Sequence, residues 1–296
     1  MAALTTAESD LAEHLERHVR AIASVPHNIA HFAALETAAA YIEHTLGEFG
    51  YAAGQQEFMV DGKRVRNIDA IIEPKQSNGQ NVATLVIGAH YDSYADAPGA
   101  NDNGSGVAAT LEVARLLKTY RPATTRIRLV LFVNEEPPYF RTENMGSWHY
   151  AKAMAERGER VRGMISLETM GVYSSEPGSQ RYPWPFSYFF GDRADFIAFV
   201  ALPGGRSFLH NFIRAFRSRT QFPSVAGVGL DSIPGIGWSD HWSFYKFGFP
   251  AMMITDTAPF RYTHYHQQSD TPDKVAFTKL ARVTLGIART VQALAK

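Results

Sequence analysis

The chain contains no cysteine, so disulfides, thiolate metal sites and cysteine nucleophiles are excluded, and any metal must rest on histidine, aspartate or glutamate. It also has no surplus of charge: 29 Lys and Arg balance 29 Asp and Glu over 296 residues. That argues against an electrostatic nucleic-acid binder or a polybasic membrane protein. Nowhere do about 18 apolar residues run together, which excludes a transmembrane helix. The first twenty residues scatter Glu8, Asp10, Glu13 and Glu16 among short apolar steps, unlike the basic start and apolar run of a secretory leader. The expectation is a soluble protein without nucleic-acid or membrane partners, cytoplasmic as printed, or secreted if a leader has been removed.

What the chain does have is 45% hydrophobic and 20% charged residues, enough apolar side chain for a sizeable core. Leu11, Leu15, Val19 and Ile22, then Ala38, Tyr41, Ile42, Leu46 and Phe49, recur at helical spacing, and Gly50 supplies a stop. An N-terminal helical segment at about residues 1–50 is expected. Strand-like runs follow at 67–72, 84–89, 127–133, 164–167 and 249–254, alternating with helical patterns at 106–118, 147–157, 207–217, 240–246 and 274–294. The expected fold is a single three-layer α/β domain, 1–296, with a mixed, mostly parallel sheet and helices on both faces. The least regular stretch, 173–190, mixes Pro177, Pro183 and Pro185 with seven aromatic residues. A long, stiffened aromatic loop is more often functional than not, although local packing is an alternative.

The chemistry concentrates where apolar strands end. Thr84–Ala89 runs into His90-Tyr91-Asp92, Ile127–Val133 into Asn134-Glu135-Glu136, and Met164–Leu167 into Glu168. In open α/β sheets the ligand site lies beyond the carboxyl ends of the strands, where these groups would meet. Each has an ordinary alternative: a surface pair for His90 and Asp92, a solvated edge for the glutamates. Asp102, in GANDNGSG before a helical pattern, has the spacing of a helix N-cap in a glycine turn as well as that of a bridging ligand. Of His264 and His266, one is the more reasonable ligand, with Asp270 as an acceptor that orients it. Asp240 beside His241 is an acid–imidazole pair or a helix start capped by Ser239. Taken together, two imidazoles and several carboxylates suit zinc or a similar divalent ion, leaving Glu135 or Glu136 free as a base.

The segments GAHYDS (88–93), GANDNGSG (99–106), NEEPP (134–138), MGS (145–147), SLETMG (166–171), SDHWSF (239–244) and YHQQSDT (265–271) resemble, in order, those of the co-catalytic zinc exopeptidases. That family is typified by bacterial leucyl aminopeptidases and includes glutaminyl cyclases and glutamate carboxypeptidase. The resemblance implies that His90 and Glu168 bind a first zinc ion, Glu136 and His266 a second, and that Asp102 bridges the two. It implies Glu135 as general base, Asp92 orienting His90, Asp240 and Asp270 as supporting acids, and a cis peptide between Asp102 and Asn103. Glu168 stands where the best-known aminopeptidases have aspartate, which leaves a one-ion enzyme as an alternative. The implied activity is aminopeptidase hydrolysis of peptides with a free N-terminus. Met170, Trp184 or Phe186 is expected to line a pocket for an apolar or aromatic first residue. The rival readings are a single-zinc glutaminyl cyclase and a non-catalytic relative that retains the fold.

Overall fold

In the computed structural model, which describes residues 3–75, 82–184 and 186–295, Thr5 opens the first helix with a capping box. Its hydroxyl accepts from the Glu8 amide, and the Glu8 carboxylate accepts from the Thr5 amide, which satisfies groups that a helix start leaves unpaired. Helix α1 (Thr6–Ile22) buries Leu11, Leu15, Val19 and Ile22, and α2 (Phe32–Glu48) buries Leu35, Ala38, Ile42 and Leu46. Gly50, at φ +85°, turns the chain out of α2 into the sheet.

One eight-stranded sheet follows, in the order β1-β2-β4-β3-β5-β8-β6-β7. Its centre is parallel: β4 (Thr125–Phe132), β3 (Ala83–His90), β5 (Val161–Glu168) and β8 (Ala251–Thr255). The flanks reverse, with β2 (Lys63–Ile72) antiparallel to β4, β1 (Gly54–Val60) antiparallel to β2, and β6 (Ile197–Ala201) antiparallel to β8. The last strand, β7 (Ser224–Val228), is parallel to β6. The expected mixed α/β architecture is present, but β1, β6 and β7 are strands that the sequence pattern does not single out. β1 is an edge strand with alternate residues exposed, whereas β6 and β7 are only five residues each, too short to show a clear period.

Alternation along the central strands sorts the core into two layers. Ile87, Leu129 and Ile165 pack on the side of α3 (Gly106–Leu117) and α7 (Phe277–Leu294), with α1 and α5 (Arg206–Arg217) alongside. Val86, Val130 and Met164 pack on the other side, where α4 (Gly146–Glu156) and α6 (His241–Lys246) supply Tyr150, Met154 and Phe244. Among the described residues, no helix is long and apolar enough to cross a membrane. The register aligns His90 with Phe132, and Glu168 with Thr255, so the parallel strands finish along one edge. Pro185 of the aromatic stretch lies outside the described residues.

Candidate metal centre

At that edge the separate segments meet. His90 is the last residue of β3, and Glu168 the last of β5. Glu135 and Glu136 follow β4 through Asn134, which takes φ +60°. Asp102 comes from the turn at 100–105, entered through Gly99 at φ +72° and followed by a cis peptide to Asn103. Gly106 is required where that turn meets β5, because a Cβ there would stand 2.3 Å from the Leu167 carbonyl oxygen and from Asn103 Oδ1. His266, at φ +59°, arrives from the loop after β8. Its ring lies between Tyr94 and Tyr265, stacked at 4.0 and 3.9 Å between centroids. His264 instead pairs with Ser269.

These side chains form overlapping donor sets, among them His90–Asp102–Glu168 and Asp102–Glu136–His266. His90 Nε2 lies 3.5 Å from Asp102 Oδ1 and 3.4 Å from Glu168 Oε2, while His266 Nε2 lies 3.1 Å from Asp102 Oδ2 and 3.3 Å from Glu136 Oε2. Donors about 2.0–2.1 Å from a tetrahedral zinc stand about 3.3–3.4 Å apart, so the spacing matches. The orientation matches too. His90 Nε2, Asp102 Oδ2, Glu136 Oε1 and His266 Nε2 are buried yet have no hydrogen-bond partner, an arrangement that suits lone pairs aimed at a common cation rather than at one another. The longer arm of Glu168 stays within reach, steadied by Ser239, whose hydroxyl donates to Oε2 at 2.8 Å. Ser239 is therefore engaged with Glu168 and makes no cap for α6.

Two further carboxylates fix the segments that carry the donors. Asp92 accepts from the amides of Glu135 and Glu136 at 3.0 and 3.1 Å. Asp270 accepts from the amides of Asn101 and Asp102 at 2.9 and 3.0 Å, and from the Tyr262 hydroxyl. The orienting bond to His90 Nδ1 comes from the backbone carbonyl of Asp92 at 3.1 Å, its carboxylate being 3.6 Å away. Asp240 is wholly buried beside the cluster, and burial pushes its carboxyl up to about 7.

Burial likewise dominates at Glu135, which is held well above the ordinary carboxylate range, and at Glu136, pushed up to about 8. For His266, burial opposes charge, but the adjacent carboxylates of Asp102 and Glu136 prevail and hold it at about 10. Burial would raise Asp102, but the two imidazoles outweigh it and keep that carboxyl below its usual value. A surplus of buried carboxylates draws positive charge toward the cluster, which is the electrostatic condition for a bound divalent ion.

Beside it opens a chamber of about 870 Å³, mouth included, which shares Glu168 with the cluster and is also lined by Tyr265, stacked on His266. Its walls are mostly apolar: Phe186, Phe190 and Phe196, Ala198 and Val200 of β6, Val225 and Gly227 of β7, with Ile236, Trp238, Met253 and Phe260. Of the three residues expected here, Phe186 lines it. Met170 does not, because its side chain is wholly buried in the core on the α3 side. Trp184 does not either, standing 80% exposed on the outside of the loop. Tyr265 is a site residue that the sequence reading passed over. Burial and the surrounding carboxylates push its phenol well above the ordinary range and keep it protonated. Its place next to His266 was the available signal.

The model of peptidase family M28 matches residues 67–291. YfbL of Escherichia coli (strain K12) is 38% identical over 290 residues, 93% of this chain and 86% of that protein. Aminopeptidase YwaD of Bacillus subtilis (strain 168) is 31% identical over 152 residues, 48% of this chain but only 32% of that one. Among solved structures, an aminopeptidase from Aneurinibacillus sp. strain AM-1 superposes with a TM-score of 0.75 at 19% identity, covering 96% of this chain and 94% of its own. BSAP, a zinc aminopeptidase from Bacillus subtilis, gives 0.62 at 25% identity over 80% and 51%. A glutaminyl cyclase from Fimbriiglobus ruber gives 0.69 at 19% over 94% and 95%.

Proposed function

Because the chain belongs to peptidase family M28, we propose that it is a zinc-dependent aminopeptidase acting on peptides with a free N-terminus and a large apolar first residue. The observation that carries this reading is the pair of donor sets joined at Asp102, placed at the opening of an apolar chamber. His90, Asp102 and Glu168 would hold one ion, and Asp102, Glu136 and His266 a second. When bound, such ions polarise a carbonyl and lower the pKa of a water molecule.

The chain's own residues supply the rest. Glu135 takes a proton from the attacking water and passes it to the leaving amine. Asp92 keeps Glu135 in place through the backbone of the Glu135–Glu136 pair. Tyr265, held neutral, offers an O–H to the oxygen of the scissile carbonyl. The chamber receives the first side chain, and the buried carboxylates of the adjoining cluster favour a free amino group, which an internal peptide bond lacks.

N-terminal glutamine cyclisation is a second reading, favoured by the likeness in fold to the Fimbriiglobus ruber enzyme. A largely apolar chamber suits the polar glutamine side chain less well. The test is to incubate the zinc-loaded protein with phenylalanyl, leucyl, alanyl and glutamyl p-nitroanilides and with a glutamine-initiated peptide. Fastest release from the phenylalanyl and leucyl substrates is expected, together with free glutamine from the peptide. A pyroglutamyl product would establish cyclisation instead, and no turnover of any substrate by fully loaded protein would end the enzyme reading.

A further inference from the structure

Residues 173–196 carry Tyr182, Phe186, Phe190 and Phe196 into the chamber wall. Yet among its described residues the segment has a single helical turn, Phe186–Tyr188, and no strand. Its shape comes from a few backbone bonds, Ser174 N–H to the Ala194 carbonyl, Gln180 N–H to that of Asp192 and Arg181 N–H to that of Phe260, and from tethers made by side chains. Beside local ties such as Gly178 N–H to Asp192 and Ala194 N–H to Ser179, four of these tethers converge on Arg261, from the loop after β8. Its Nε donates to Gln180 Oε1 at 2.7 Å, and its Nη1 to the carbonyls of Val172, Ala194 and Phe196 at 3.1, 3.4 and 3.0 Å. One guanidinium thus ties Val172, just before the segment, and Gln180, in its first half, to its end at Ala194 and Phe196. It also sits 4.5 Å from the centre of the Phe196 ring, on a residue that forms part of the wall. Gln180 extends the grip by donating to Thr257 Oγ1 at 3.1 Å. The Nε–H and the two N–H groups of Nη1, the latter shared among three carbonyls, serve all four acceptors, while Nη2 is buried without a hydrogen-bond partner; an ammonium group on a flexible stem cannot present the same fixed fork.

We propose that Arg261 is the positioning residue that preforms the chamber: by clasping residues 173–196 it fixes the aromatic wall, and so sets the preference for a large apolar first residue without touching the donor cluster. The inference rests on the reading that this chamber takes the first side chain of a peptide. It extends that reading to a residue whose effect falls on selectivity and not on bond cleavage.

The test compares Arg261→Lys and Gln180→Ala with the parent, full-length and zinc-loaded. Amide hydrogen exchange over 173–196 and over β3 to β5 is measured, as are kcat and KM on phenylalanyl and alanyl p-nitroanilides. For Arg261→Lys we expect faster exchange confined to 173–196, and KM for the phenylalanyl substrate raised about tenfold at nearly constant kcat, with the alanyl substrate changed by less than about twofold. Gln180→Ala should shift both readouts in the same direction by less. Unchanged exchange in the segment, or equal losses on both substrates, overturns the proposal. Should Arg261→Lys fail to fold, Gln180→Ala decides by the same criteria. If the parent hydrolyses neither substrate, the aminopeptidase reading fails, while the exchange data still judge the clasp by itself.

Discussion

The donor cluster and the chamber lie side by side, sharing Glu168, with Tyr265 between them stacked on His266, yet they are built on opposite principles. The cluster hangs on strand ends: His90 closes β3, Glu168 closes β5, and Glu135 follows β4 by three residues. Two of the donor-bearing segments are clamped by a carboxylate accepting two successive amides, Asp92 for Glu135 and Glu136, Asp270 for Asn101 and Asp102, while His266 is held between two tyrosine rings. The chamber has short strands on one side only and irregular chain on the other. A site for chemistry needs its donors fixed to fractions of an ångström, which a central parallel sheet supplies. A recess for a side chain needs volume and apolarity, which loops can provide.

If that division is right, the largest effect belongs to Glu135→Gln. The substitution keeps shape and burial while removing the proton acceptor, so kcat should fall by at least about a hundredfold to ten-thousandfold. Zinc content and melting temperature should stay close to the parent, and steady-state kinetics with metal analysis check both. Near-native turnover in a metal-replete variant would remove Glu135 from the role of base. Asp270→Asn should come next. It keeps an oxygen acceptor but replaces the other with an amide that cannot accept from the Asp102 backbone, so the turn carrying Asp102 loosens and zinc affinity drops about 10- to 100-fold. Competition with a zinc chelator would measure it; unchanged affinity would mean that the clamp is redundant.

The same division governs what the sequence makes legible. His90, Glu135, Glu136 and Glu168 could be read as a convergent group because each sits at or just past the end of an apolar run, where the position of a strand end also gives the position of the side chain. Asp102 and His266 were harder, since a helix cap and a stray histidine have the same local pattern. Only their place in an ordered series of segments distinguished them. The chamber was mostly unreadable. Its wall draws on β6 and β7, which are too short to be marked as strands, and on loops whose course depends on Arg261, whose acceptors lie 65 to 89 residues away. Met170 shows the same limit: being near Glu168 in sequence put it in the core, because successive residues past a strand need not share a face.

A smaller effect should come from the chamber itself. Gly227 lines it from β7, and a Cβ placed there would meet nothing within 4 Å. Gly227→Val therefore adds bulk to the recess without a backbone conflict, at a strand position where a β-branched residue is favourable. The phenylalanyl substrate should lose about tenfold in kcat/KM while the alanyl substrate holds, because a pocket contact of this size is worth about 1–3 kcal/mol. Equal losses on the two substrates would place the first side chain somewhere other than this recess.

The smallest effect should fall on stability alone. Thr5 caps α1 from the end remote from the site, whereas Val19 and Ala23, at the other end of the helix, pack beneath the turn carrying Asp102: a Cβ on Gly104 would lie 3.5 Å from Ala23 and 3.7 Å from Val19. Thr5→Ala breaks the capping box and should cost about 1 kcal/mol, a loss of roughly 2–4 °C in melting temperature. Fraying of the first turn does not reach Val19, since helix ends open locally and the apolar face of α1 is held by α3 and α7. Zinc affinity, kcat and KM should therefore all be unmoved. A drop in zinc affinity that tracks the loss of the cap would show that the turn carrying Asp102 depends on the whole of α1, and the rigidity assigned to the strand ends would have to be shared with a helix that carries no donor.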